Sequence, residues 1–429
     1  MAIAKTFKIF TFGCKTNQIE SDFIVQKLLK NGYTKLENTE STEFTVINSC
    51  SVTSKADDEI LYLIRKTKKH EPHTKVVLCG CLAQTDKDNL ANNPDIFAIA
   101  GNSEKLDIVN VLNQNRRDVF VQDIMLQEHF IETEPVLTSK TRAVIKIQDG
   151  CNNYCSYCIV PFARGKSRSC REQTILNNIR TLTDKGYKEI ILSGIHFGQW
   201  GKDFIPQENI VDLLEKLEVM EGLHRYRLGS VDPTELDERM LDFLVKAKKN
   251  CSHLHLSLQS ANDKTLQAMN RKYTVEEVKQ KLDFLKQNIP ALNIGADVIV
   301  GFPGETDEDF ELTCQNIKDM PISYMHIFTY SKRKYTKAAQ MPCQIDETVK
   351  KQRAKRLKGI ALDKKLNFLK SLKGMPLEVL VEKKKHGNLY KATSSNYLQF
   401  LIESDKDISN NIINVNANTI VNGNLFAKI

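Results

Sequence analysis

Residues 143–158 read AVIKIQDGCNNYCSYC, and this stretch decides the fold. AVIKIQ (143–148) is a strand candidate, and three cysteines follow it in the spacing C-x3-C-x2-C: Cys151, Cys155 and Cys158. On its C-terminal side, EIILSG (189–194), HLHLSL (253–258) and IGADVIVG (294–301) read as buried strands with helical segments between them. Roughly 230 residues of such units predict a complete or partial βα barrel over residues 141–373. On its N-terminal side, FKIFTF (7–12), FTVIN (44–48) and KVVLC (75–79) are strand candidates. Helical patterns separate them, one with Ile24, Leu28 and Leu29 at helical spacing and one through Ile60, Leu61 and Ile64. That alternation predicts a parallel α/β domain over residues 1–118. Residues 119–140 lose the rhythm and read as a linker. After Gly374, LEVLVE (377–382), YLQFLI (397–402) and TIVNGNLFAKI (419–429) are short strands with Asn-rich turns. They predict a small all-β, OB-like barrel over residues 374–429. The fold class is therefore α/β with an all-β C-terminal module.

The composition agrees with three folded domains. The chain has 429 residues, 41% hydrophobic and 27% charged, which excludes a wholly disordered chain or a low-complexity fibre. No stretch approaches the roughly 18 consecutive apolar residues that span a bilayer. The N-terminus, MAIAKTFKIFTFGC, has no basic region followed by an apolar run and a small-residue cleavage site, so a cytoplasmic protein with no membrane association is expected. Eleven cysteines cannot all pair internally, and clustered thiols in a reducing compartment more often bind metal or do chemistry than form disulfides. The net charge is +8, yet residues 350–373 alone hold ten Lys or Arg against one acid, Asp363. The remainder of the chain is close to neutral. A polyanion docking on that segment is one reading of it and a solvated helix face is the other.

Three thiolates on the short loop 151–158 can hold three irons of a cubane cluster. The fourth iron then has no protein ligand, as a cluster that binds and reduces a substrate requires. A zinc loop would want a fourth Cys or His at suitable spacing, and His196 and His224 show no such motif. The N-terminal strands offer a second constellation. Cys14, Cys50 and Cys81 each follow a predicted parallel strand, and the loops after parallel strands emerge at one edge of the sheet. These three thiols can therefore meet and suit another cluster with an open iron, although buried thiols at strand ends are common without one. Cys79 reads as a core residue, and Cys170, Cys251, Cys314 and Cys343 share no spacing.

The loop GCNNYCSYC, with the aromatic Tyr157 before Cys158, resembles the signature of radical S-adenosylmethionine enzymes. The two cysteine triads together resemble the methylthiotransferase family. The words TFGCKTNQIES, VINSCSV, CGCLAQ, KIQDGCNNYCSYCIVPFARGKSRS, LSGIHFGQWG, RLGSVDPTEL, LHLSLQSANDKTLQAMNRKYT and DVIVGFPGETDEDF carry that resemblance along nearly the whole chain. It implies an N-terminal domain with an auxiliary 4Fe–4S cluster on Cys14, Cys50 and Cys81. It implies a radical S-adenosylmethionine domain with a 4Fe–4S cluster on Cys151, Cys155 and Cys158, and a C-terminal TRAM domain. The implied chemistry uses one S-adenosylmethionine to methylate sulfur held at the auxiliary cluster and a second to generate the radical that activates the substrate carbon. A reductant such as flavodoxin or ferredoxin and a sulfur donor are implied partners.

Smaller features bear on substrate and cofactor. The word Phe162-Ala163-Arg164-Gly165, running without insertion to Arg168-Ser169, resembles the members that act on N6-threonylcarbamoyladenosine in tRNA. Isopentenyladenosine in tRNA and a ribosomal-protein aspartate are the alternatives within the family, and a non-catalytic iron–sulfur RNA-binding protein is the alternative outside it. The resemblance places Tyr157, Gly194, Gly301, Pro303 and Gly304 near the cofactor, while GFPGET (301–306) also reads as a strand-to-helix turn with Thr306 as its cap. Lys351, Arg353, Lys355 and Arg356 are the candidate phosphate contacts for tRNA. Two positions depart from the family pattern: Ala261 stands where Gly is usual in QSGSD, and Tyr335 where Gly is usual in Arg-x-Gly-Thr. The first adds a methyl expected to constrain its loop.

Overall fold

A computed structural model describes residues 5–37, 40–114, 116–138, 140–416, 419–421 and 424–429. By contacts the chain divides into two compact units, and the division does not follow linear order. The first unit comprises residues 1–136, 148–170 and 331–340, and the second residues 137–147, 171–330 and 341–429.

The first unit is built on a parallel six-stranded sheet. Its strands are β1 (Thr6–Thr11), β2 (Thr34–Lys35), β3 (Phe44–Ser49), β4 (Lys75–Gly80), β5 (Ala98–Ala100) and β6 (Asp118–Phe120), in the order β2-β1-β3-β4-β5-β6. Every residue of β3 is buried, as a strand covered on both faces must be. Successive side chains alternate between the two faces. Val46, Val77 and Cys79 pack with Ile24 and Leu28 of helix α1 (Lys15–Lys30), and Ile47, Val76 and Leu78 with Ile60 and Ile64 of helix α2 (Ser54–His70). Leu29, expected on the buried stripe of α1, is half exposed. Asp118–Phe120, at the edge of the expected linker, forms the sixth strand. It is too short and too exposed to show a hydrophobic period. Residue 139 of that linker lies outside the described residues.

The second unit holds two parallel sheets. One has the order Arg225–Arg227, Glu189–Ser193, Ala143–Lys146, and the other Ser230–Val231, His253–Gln259, Asn293–Val300, Tyr324–Thr329. Residues 225–231 run from one sheet into the next, which gives the partial βα barrel. AVIKIQ divides: Ala143–Lys146 belongs to the barrel, whereas Gln148–Asp149 pairs antiparallel with Arg168–Ser169 in the first unit and clasps the base of the cysteine loop. A six-stranded, mostly antiparallel sheet over 376–428 forms the C-terminal module around its own core, which includes Val379, Val381, Phe400 and Leu425. The expected strand 419–429 is two, Thr419–Val421 and Asn424–Lys428, with residues 422 and 423 outside the described residues. Among the described residues no helix is long and apolar enough to cross a membrane.

Candidate functional site

Asn48 stands beside Cys79 and Ser49 beside Gly80 in the pairing of β3 with β4, so these strands end level. The loops carrying Cys50 and Cys81 therefore leave the sheet edge together. Gly13 brings the loop of Cys14 to the same place. Its φ is +98°, and a Cβ built there would lie 2.7 Å from the Cys50 Cβ and 2.9 Å from its Sγ. Only glycine accepts both that backbone and that approach. Burial pushes the Cys50 thiol up to about 11, and the neighbouring Cys81 and Cys14 add to the rise. Three thiols gathered at one sheet edge, the Cys50 thiol resisting ionisation in its buried place, are a donor set suited to a compact cationic centre, because a cation stabilises the thiolate form. The set therefore fits an iron–sulfur cluster. Cys79, on the sheet two residues before Cys81, is fully buried in the core, and burial lifts its thiol to about 12.

Cys151, Cys155 and Cys158 are all half-buried, on a loop that closes on itself. The Cys158 N–H donates to the Cys155 carbonyl at 3.0 Å, the Asn153 N–H reaches the Cys151 Sγ at 3.5 Å, and the Cys151 N–H donates to the Gly165 carbonyl at 3.1 Å. Sulfur that accepts a backbone N–H is a stabilised thiolate ligand, which again fits a cluster.

A buried charge network ties this loop to the sheet edge. Arg164, 2% exposed, meets both carboxylate oxygens of Glu20 at 3.1 Å and the Asp149 carboxylate at 3.0 Å. Lys105 Nζ donates to the same Glu20 at 2.5 Å. Arg168, also buried, stands 3.8 Å from the other Asp149 oxygen, so three cations surround the two carboxylates. Asn102 Nδ2 donates to the Ala163 carbonyl at 2.7 Å and stands 3.6 Å from the Cys81 Sγ. One residue thus touches both the helix that follows the cysteine loop, Val160–Arg164, and a cysteine of the other triad.

The second unit carries polar groups that sequence reasoning did not assign to a site, most of them at or just after barrel strands. His196 Nε2 lies 3.6 Å from Asp232 and 3.3 Å from Glu235, and Arg271 donates to Asp232 at 2.6 Å. Burial lifts the Glu235 carboxyl to about 7, with His196 opposing and Asp232 reinforcing it. Burial acts the same way on Asp232, but His196 and Arg271 outweigh it and hold that group near 2. Two adjacent carboxyls driven apart in this way have the pattern of an acid–base pair, here inside a buried ion-pair network with His196 and Arg271. Farther along the barrel, His255 Nε2–H donates at 3.0 Å and His326 Nδ1–H at 3.3 Å to one oxygen of Asp297. The signal available for all of these but Arg271 was position, a polar residue at or just after a barrel strand.

The remaining sequence candidates fall as follows. Tyr157 is half-buried in the first unit, and Gly194 follows the strand Glu189–Ser193 in the second. Gly301 and Gly304 have φ of +72° and +83°. The Gly301 N–H donates to Glu305 at 2.7 Å and the Gly304 N–H to the Cys343 carbonyl at 3.0 Å. With buried Pro303 they make a strand-to-helix turn, and Thr306 and Asp309 close a capping box. Ala261 is fully buried, and its loop takes its left-handed residue at Gln259 instead, φ +64°. The basic segment is the helix Glu347–Ser371. Lys351, Lys355 and Arg356 are exposed on it, Arg356 with both nitrogens on Glu311. Arg353 is a correction. It is buried, with its guanidinium on Glu305 at 2.6 Å and Asp307 at 2.7 Å, so it is not available to a phosphate.

Comparison with known proteins agrees with this arrangement. The model of the radical SAM superfamily matches residues 145–317, and that of the uncharacterized protein family UPF0004 matches residues 6–101. A threonylcarbamoyladenosine tRNA methylthiotransferase MtaB of Aquifex aeolicus is 35% identical over 93% of this chain and 97% of its own length. A tRNA-2-methylthio-N(6)-dimethylallyladenosine synthase of a Thermoanaerobacter species is also 35% identical, over 88% of this chain and 82% of its own. Among solved structures, the radical S-adenosylmethionine methyltransferase TsrM of Kitasatospora setae superposes with a TM-score of 0.57 at 13% identity, covering 78% of this chain and 75% of that one, a likeness of fold. Identity of this extent, with the two cysteine triads in place, shows that the chain belongs to the radical S-adenosylmethionine methylthiotransferase family, whose cofactors are S-adenosylmethionine and 4Fe–4S clusters.

Proposed function

We propose that the protein is a tRNA-modifying enzyme that converts N6-threonylcarbamoyladenosine beside the anticodon to its 2-methylthio derivative. Cys151, Cys155 and Cys158 hold the cluster that takes S-adenosylmethionine, and Cys14, Cys50 and Cys81 hold the auxiliary one. The observation that carries the reading is the presence of both triads in one compact unit, joined through Asn102 and the Arg164 network. Bound there, the clusters and S-adenosylmethionine supply radical and sulfur-transfer chemistry. The chain's own residues hold the two thiol sets in one compact unit and place buried ion pairs between them.

The choice of threonylcarbamoyladenosine rests on the ungapped word from Phe162 to Ser169 and on the near-complete coverage of the Aquifex relative. Exposed Lys351 and Lys355 suit tRNA phosphates, and the C-terminal sheet suits an RNA-binding TRAM module. A low-potential reductant and a sulfur donor complete the reaction.

Cysteine variants test the division of labour. Cys155→Ala should abolish S-adenosylmethionine cleavage. Cys50→Ala should retain cleavage and lose methylthiolation. Full product from Cys50→Ala would sink the two-cluster reading. Mass spectrometry of tRNA nucleosides from a deletion strain tests the substrate: the 2-methylthio-threonylcarbamoyl nucleoside should disappear. Loss of the isopentenyl product instead would reassign it.

A further inference from the structure

Three aromatic rings gather on the surface of the first unit beside the cysteine loop. Tyr154 is 42% exposed, Phe162 36% and Tyr335 51%. Phe162 and Tyr335 lie 5.7 Å apart at an interplanar angle of 33°, and Tyr154 meets Phe162 edge-on at 6.4 Å. Large aromatics clustered in water rather than in a core mark a binding surface. Two of the three also sit in left-handed backbone, Tyr154 at φ +46° and Tyr335 at φ +69°. A bulky residue is held in that region only where the surroundings impose it.

The surroundings of Tyr335 are the two cysteine loops. Arg333, two residues before it, donates to the Ser51 hydroxyl at 2.7 Å and to Asp57 at 2.6 Å, and Ser51 follows Cys50. Ala338, three residues after it, donates its N–H to the Ser156 carbonyl at 2.7 Å, and Ser156 follows Cys155. The segment 331–340 is thus fastened beside both triads, and Tyr335 is its exposed aromatic ring. Lys332, Lys334 and Lys337 are exposed on the same segment, with Lys334 Nζ 5.0 Å from the Tyr335 ring centre and 3.6 Å from Asp86.

Flat π-faces with ammonium groups at their margin are the chemistry of single-stranded nucleic-acid recognition: rings stack on bases and cations follow the phosphates. We propose that Phe162 and Tyr335, buttressed by Tyr154, are a stacking platform for an unpaired base of the RNA loop next to the target nucleotide, with Lys332, Lys334 and Lys337 on its backbone. This rests on the reading of tRNA as substrate. Its effect is positional: a flanking base held on a segment tied to both triads sets where the target base falls.

The test uses the cluster-loaded protein and an anticodon stem–loop RNA with 2-aminopurine on either side of the target adenosine. Tyr335→Gly relieves the left-handed strain, so it removes the ring without endangering the fold. It should weaken binding about tenfold and abolish the fluorescence quenching that stacking produces. Tyr335→Trp should retain both. Binding and quenching unchanged in Tyr335→Gly would overturn the platform, and so would weakened flavodoxin binding with RNA binding intact, since the surface would then be a protein dock. Mass spectrometry of threonylcarbamoyl-modified RNA after turnover reads the proposed function separately. Product from the wild-type protein with no effect of Tyr335→Gly removes the platform alone. Stacking without product removes the threonylcarbamoyl assignment alone. A wild-type protein that does not bind the RNA overturns both.

Discussion

Arg164 shows what a single residue contributes here. It lies in a word that sequence reading used only to choose a substrate, yet its side chain is buried and bound to Glu20, Asp149 and Asn17. Burial opposes its charge, but Glu20 and Asp149 outweigh burial and hold it firmly protonated. Arg164→Met would remove the one cation that bridges Glu20 and Asp149, leaving Glu20 with Lys105 and Asp149 with Arg168 at 3.8 Å. Breaking a buried pair by removing one partner costs about 3–5 kcal/mol. The variant should show that loss in denaturant midpoint and lose iron more readily. A midpoint within about 1 kcal/mol of wild type would mean the network is solvated. Gly13 makes the same point sterically, since its missing Cβ is what lets Cys14 approach Cys50.

At the scale of the element, the helix Glu347–Ser371 carries nearly all the excess charge and divides it by face. The face toward the barrel buries Lys350, Arg353, Ala354 and Leu357, and Lys350 and Arg353 are paired there with Glu347, Glu305 and Asp307. Lys364 is spent as well, donating at 2.8 Å to the carbonyls of Lys318 and Met320. Lys351 and Lys355 face water. Replacing both with Gln should weaken tRNA binding and lower the slope of log affinity against log salt by about 1.5. Arg353→Gln should behave differently, costing about 3 kcal/mol of stability while the folded fraction binds tRNA as before. Equal salt slopes for wild type and the Lys351/Lys355 variant would show that the exposed face is only solvated.

At the scale of the whole molecule, buried carboxyls set how stability follows pH. Burial would raise Asp297, but hydrogen bonds from His255 and His326 hold it near 2, as His196 and Arg271 hold Asp232. Both start from an ordinary value of 3.8, so their stabilisation is complete above about pH 4 and is lost as pH falls toward 2. Glu235 runs the other way. With about 7 in the fold against an ordinary 4.5, the folded state binds the extra proton, and stability falls as pH rises across that interval. The melting temperature of the intact holoprotein should therefore decline between pH 5 and pH 8, by about 2–4 °C per kcal/mol lost. Glu235→Gln should flatten that decline and leave the acid limb unchanged. An equal decline in the variant would show that Glu235 ionises at its ordinary value.

What the sequence determined by itself was whatever local spacing encodes. The C-x3-C-x2-C run fits on one loop whatever surrounds it. The strand periods at 44–48, 75–79, 253–258 and 294–301 were legible because alternating and fully apolar runs are properties of neighbours along the chain. Parallel β-α alternation then implied that Cys14, Cys50 and Cys81 end at one edge, and the structure brings them together there. Tertiary structure decided the rest. Gln148–Asp149 leaves the barrel strand it seemed to continue and pairs with Arg168–Ser169, so the second triad packs with the N-terminal sheet. It also buried Arg353, gathered His196, the pair Asp232 and Glu235, and Arg271 from three places in the chain, and turned Tyr335 outward in left-handed backbone. Each of these depends on which distant segment supplies the opposite charge, the hydrogen-bond partner or the steric wall. No period of 2 or 3.6 residues carries that information, because side-chain periodicity reports only which face is buried and not what buries it.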